Sequence, residues 1–98
     1  MFGLNKNISF YMCKDFLIST MMFLKPNSVE NTETTVVIKI VRRKRIITIS
    51  AKLVSGKIKI EVDDTDYLIH IPTKTFKKNE DAQLHILNIK QVISDNLR

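Results

Sequence analysis

Ninety-eight residues make one domain with a single modest core, too few for two. Sixteen Lys and Arg against ten Asp and Glu leave a formal charge of +6, which favours polyanionic partners: RNA, DNA or an acidic membrane surface. The single cysteine, Cys13, excludes an internal disulfide, so a bridge-stapled secreted fold is set aside and a reducing, cytoplasmic location is the expectation.

Residues 7–25 are predicted as the first helix, with Asn7 or Ser9 as N-cap and Pro26 ending it; residues 1–6 precede it as a tail, with order and disorder both open. Twelve of the 17 positions from Ile8 to Leu24 are apolar, more than one stripe of a surface helix requires. Core, interface and targeting segment are the readings open to this run. Lys14 and Asp15 interrupt it, no small-residue cleavage site follows Leu24, and the uninterrupted stretch is too short to span a bilayer, so a folded helix is preferred and no membrane association is expected. Its excess apolar surface, Phe10, Tyr11, Phe16, Met21, Met22 and Phe23, is assigned to a protein partner.

Asn27 to Glu33 is polar and reads as a connector, after which the chain alternates as a sheet does. Val36, Ile38 and Ile40 alternate with Val37, Lys39 and Val41; Ile47, Ile49, Ala51 and Leu53 alternate with Ile46, Thr48, Ser50 and Lys52. The third and fourth strands are predicted at Lys57 to Asp63 and Asp66 to Pro72. Short connections at Arg42 to Arg45, Ser55-Gly56 and Asp63 to Asp66 make these an antiparallel meander, because parallel neighbours need long crossovers. A closing helix spans about Glu80 to Leu97, with Asn79 as N-cap, Glu80 and Asp81 in the first turn, and Ala82, Ile86, Ile89, Ile93 and Leu97 as one stripe. The prediction is thus a single α+β domain of order α-β-β-β-β-α, its two helices packed on one face of a four-stranded sheet.

The other face is left wet, and it collects lysines. Ile58, Ile60 and Val62 face the core in the third strand, so Lys57 and Lys59 face outward; Lys39, Lys52 and His70 join them, beside Val37, Val41, Ile46 and Leu68. Arg42, Arg43, Lys44 and Arg45 concentrate positive charge on a hairpin tip, and together with the lysine face they read as one basic surface for phosphates.

Catalytic and metal-binding patterns are weak. His70 and His85 have no cysteine or second histidine at metal-ligand spacing, and Cys13 on its helix reads as a small buried hydrophobe. Asp63, Asp64 and Asp66 lack the glycine and distal glutamate of a helix-loop-helix calcium site and read as turn formers. No cofactor, metal or small-molecule substrate is expected, and the chain is read as non-enzymatic.

From Arg45 to Leu97 the chain carries a strand (RIITISAKLV), a turn with Gly56, a strand ending in acidic residues (KIKIEVDD), Thr73-Lys74-Thr75, a Lys77-Lys78 pair and a closing helix, and its first helix ends at Lys25-Pro26. In these features it resembles the smaller of the two Alu-domain subunits of the signal recognition particle, a family of order α-β-β-β-α. It departs from that pattern in a further strand at residues 35–41 and in a more apolar first helix. The resemblance implies a subunit that pairs with a homologous partner and binds structured RNA on its sheet face, with Lys52, Lys57 and Lys59 matching by position as phosphate contacts.

The expected function is that of a small RNA-binding subunit of a ribonucleoprotein, working as a homo- or heterodimer and holding phosphates through Lys39, Arg42, Arg43, Lys44, Arg45, Lys52, Lys57 and Lys59. The alternative is a protein-binding inhibitor or accessory factor of a phage or other mobile element.

Overall fold

The computed structural model describes residues 2–97, and side chains for residues 9–97. The element order is α1 (Phe2–Met21), a single 3-10 turn (Met22–Leu24), β1 (Ser28–Asn31), β2 (Thr35–Arg42), β3 (Arg45–Val54), β4 (Lys57–Asp64), β5 (Lys74–Phe76) and α2 (Asn79–Asn96). The five strands form one antiparallel sheet in chain order, and the domain is α+β as the hydrophobic alternation implies. The sheet has five strands rather than four.

Helix α1 starts at Phe2, so neither Asn7 nor Ser9 caps it, and residues 2–6 belong to the helix instead of a tail. Phe10, Cys13, Leu17 and Met21, spaced three and four apart, form its buried stripe. The helix ends because Lys25 adopts a left-handed conformation (φ 52°), its N–H donating to the Met22 carbonyl, and Pro26 follows.

The polar segment after Pro26 is an edge strand, not a connector. Asn27 N–H donates to the Lys39 carbonyl (2.8 Å), the Val41 N–H donates to Asn27 Oδ1 (2.8 Å), and Ser28 to Asn31 pair with Lys39 to Val36. All four β1 residues are exposed, which is why its sequence shows no alternation. Lys14 fastens this edge to α1. Lys14 is only 5 % exposed, and its ammonium donates to Asn31 Oδ1 (2.8 Å) and to the Thr32 carbonyl and lies 4.8 Å from the centre of the Tyr11 ring.

In β2, β3 and β4 the predicted parity holds: Val36, Ile38, Ile40, Ile47, Ile49, Ala51, Ile58 and Ile60 are buried. With the α1 stripe and Ala82, Ile86, Ile89 and Ile93 of α2 they make one core between the sheet and the two helices, each large side chain contributing about 1.5–3 kcal/mol by burial. The β3–β4 hairpin turns at Ser55-Gly56, both at positive φ (52° and 76°), where glycine at the second position removes a steric cost.

The segment predicted as the fourth strand, Asp66 to Pro72, is not one. The Asp64 carboxylate takes the backbone N–H groups of Asp66 (3.0 Å), Leu68 (3.0 Å) and Ile69 (2.9 Å), and donors spent on a side chain cannot join a ladder. Pairing with β4 resumes only at Lys74 to Phe76, opposite Ile60 to Ile58. At the start of α2, Asn79 is the first helical residue and not the cap; the Lys78 carbonyl accepts from Ala82 N–H (3.2 Å), and Asn79 is buried.

Candidate nucleic-acid interface

The sheet register decides which cations share a surface. Lys52 of β3 lies directly opposite Lys59 of β4, with Thr35 of β2 and Thr75 of β5 at its flanks. Lys57, two residues before Lys59, points the same way, at the closing pair with Val54. Phe76 pairs with Ile58, so the chain beyond it brings the exposed Lys77 and Lys78 to this same end of the sheet. Two ammonium groups opposed across a ladder are mutually destabilising. The Glu61 carboxylate lies 3.5 Å from Lys59, at a part-exposed position where an ion pair contributes little.

Farther along the open face the charge changes sign. Glu30, Val37, Ser50 and Glu61 form one cross-strand row, and Ser28, Lys39, Thr48 and Asp63 the next. Lys39 therefore stands apart from the lysine end, across a row that carries two carboxylates.

The basic tip is at the opposite end of the sheet, about 25 Å from Lys52 at the usual rise per strand residue, and half of its charge is turned away from the open face. Arg42 and Arg45 share the parity of the buried Ile40 and Ile47, so they point to the helix side. Arg42 donates to the Leu24 carbonyl at the end of the 3-10 turn and to the Val41 carbonyl (2.9 Å). Arg45 forms a two-pronged pair with Asp64, Nε to Oδ1 at 2.9 Å and Nη2 to Oδ2 at 2.7 Å. Arg45, then desolvation opposed by the three backbone donors, sets the Asp64 carboxyl, the net effect holding it well below the usual carboxylate range. Of the four, Arg43 and Lys44 are exposed and Arg42 and Arg45 half-buried, with Arg43 in a left-handed conformation (φ 59°). The expected single basic surface is therefore two patches at opposite ends, and Arg42 and Arg45 leave the list of free phosphate ligands because their donors hold the fold together.

The partner surface assigned to α1 is also smaller than expected. Phe10 and Met21 are core residues, 1 % and 0 % exposed, and Phe16 packs half-buried against them. Tyr11, Met22 and Phe23 remain exposed, joined by Met12 and by Leu84 and Leu87 of α2.

Cys13 is fully buried, which pushes its thiol up to about 11 and leaves it unreactive at neutral pH. His85 is buried against Phe76, ring centres 5.2 Å apart, and burial followed by the charge of Lys74 lowers its pKa; it is a core group of α2. His70 is exposed on the loop after β4. Among the described residues no group of three His, Cys, Asp or Glu side chains is placed to hold a metal ion, and no helix is long and apolar enough to cross a membrane.

No protein-family model, curated protein or solved structure matches this chain.

Two contributors at the lysine end were missed from the sequence as part of the site. Lys77 and Lys78 read in the sequence only as a pair before the last helix, and it is β5 at Lys74–Phe76 that brings them to the end of the sheet that carries Lys57. Tyr67, 77 % exposed at φ 57°, was hidden inside a predicted strand.

Proposed function

We propose that this protein binds structured RNA through backbone phosphates, as a non-enzymatic subunit of a cytoplasmic ribonucleoprotein. The observation that carries the reading is the cross-strand Lys52–Lys59 pair with Lys57 beside it and Lys77 and Lys78 at the same end of the sheet. Such an arrangement costs stability in the free protein and is relieved when phosphates replace the missing counter-charges. Selectivity in this scheme comes from RNA shape, because lysine ammonium groups are point charges that read no base edge. Lys52→Glu, Lys57→Glu and Lys59→Glu together are expected to abolish binding to a structured RNA in a low-salt gel-shift titration while leaving the circular dichroism melt intact. Retained affinity in the triple variant contradicts the reading.

A second reading, a protein-binding inhibitor or accessory factor, is favoured by the exposed Met12, Phe23, Leu84 and Leu87 on the solvent side of the helices. The same surface supports a dimeric RNA-binding subunit. Sedimentation is expected to show self-association at micromolar concentration, and a stable monomer throughout that range removes the homodimer and leaves a heterologous partner.

A further inference from the structure

Two clefts are lined in part by the loop that follows β4, and their chemistry differs. One, of about 420 Å³, is walled by Tyr67, His70 and Pro72 over Val62, Ile69 and Ile71, with Asp63 and Asp64 completing its lining. The other, of about 830 Å³, is lined by the four cations Arg42 to Arg45 with Asp66 and the end of α2. The first offers rings and aliphatic surface beside carboxylates, which suits a flat uncharged ring and repels a phosphate. The second attracts a phosphate, and among the described residues Arg43 and Lys44 make no ion pair or side-chain hydrogen bond.

The loop that lines both is built to stay in place. Asp64 holds three backbone N–H groups of the loop and the Arg45 guanidinium at once, the Tyr67 N–H donates to the Asp64 carbonyl (3.0 Å), and Thr65 is tied to Ile46 by bonds of 3.1 and 2.9 Å. This network fixes Tyr67 in a left-handed conformation that is costly for a residue with a Cβ, and it leaves the ring 77 % exposed. A strained, tethered aromatic ring held in water has no part in the core.

We propose that these two clefts form one site for an unpaired nucleotide, its base stacked on Tyr67 in the apolar cleft and its phosphate held by Arg43 and Lys44 in the basic one. The proposal rests on the RNA reading above and deepens it: the lysine end grips helical backbone, and the far end of the sheet takes a splayed-out nucleotide from a loop or bulge.

Tyrosine emission reports the site directly, because the chain has no Trp and two Tyr; Tyr11→Phe leaves Tyr67 as the single emitter. Titrating that variant with a short single-stranded RNA is expected to quench the emission, whereas inorganic polyphosphate, which has no bases, binds without quenching. Tyr67→Ala is expected to weaken single-stranded RNA binding by about 5- to 150-fold, the range for loss of one base–aromatic stack, to leave polyphosphate binding unchanged, and to be rescued by Tyr67→Phe. RNA binding without quenching, or with equal affinity in Tyr67→Ala, overturns this site while the phosphate reading stands. Failure of both RNA and polyphosphate to bind the wild type at low salt overturns both.

Discussion

Ile60→Asp is expected to yield no folded protein at 25 °C, while Lys59→Glu, one residue away, melts within a few degrees of the wild type. Ile60 is 0 % exposed, opposite Ala51 in the ladder and part of the core shared with the helices. Its loss forfeits about 1.5–3 kcal/mol of burial, and a carboxylate there adds a desolvation cost of several kcal/mol. Together these approach the whole stability of a domain this size, about 5–15 kcal/mol. Lys59 points to the open face, and a glutamate there stands opposite Lys52, replacing a like-charge pair with an opposite-charge one. Paired circular dichroism melts decide the matter; equal melting temperatures contradict the register.

The second large effect is expected at Asp64. Asp64→Ala removes the partner of Arg45 and strands the N–H groups of Asp66, Leu68 and Ile69, for a loss of about 3–5 kcal/mol. In a small domain that lowers the melting temperature by more than about 10 °C. The pH dependence gives a sharper test. The folded carboxyl is held below its usual range, chiefly by Arg45, so its stabilisation is complete above the unfolded value of about 4 and is lost as pH falls beneath it. The gap between wild-type and Asp64→Ala melting temperatures is therefore expected to be constant near neutral pH and to narrow below about pH 4. A gap that stays constant into acid assigns the loss to packing instead of the ion pair.

The parts of this fold legible in the sequence are those where one face of an element is apolar and the other is not. Val36, Ile38 and Ile40, Ile58 and Ile60, and the Ala82 to Ile93 stripe each announce their buried side by period alone. Strand β1 was not legible because an exposed edge has no apolar face to display, and Ser28 to Asn31 hold their place by backbone pairing and by Lys14. Residues 66–72 alternate as a strand does, yet the Asp64 side chain captures their donors, a contact that period cannot reveal.

The candidate site was legible to the same degree and for the same reason. Lys52, Lys57 and Lys59 lie out of phase with buried residues, and the structure places them together. Arg42 and Arg45 lie in phase with Ile40 and Ile47, so their parity points inward, whereas their positive charge alone suggests a phosphate-binding tip. Lys77, Lys78 and Tyr67 depended on locating β5 and the loop before it.

The central claim is that the lysine end of the sheet neutralises RNA phosphates, and the salt dependence of binding tests it most directly. Charge-neutral variants Lys52→Gln, Lys57→Gln and Lys59→Gln avoid the repulsion that a glutamate adds. Each lost phosphate contact is expected to flatten the slope of log affinity against log salt by about 0.7 to 0.9, so the triple variant should lose about 2 to 3 of slope while keeping the wild-type melting temperature. A triple variant with the slope of the wild type, or a wild type with no affinity for structured RNA at low salt, contradicts the claim and makes the basic face a solvated one.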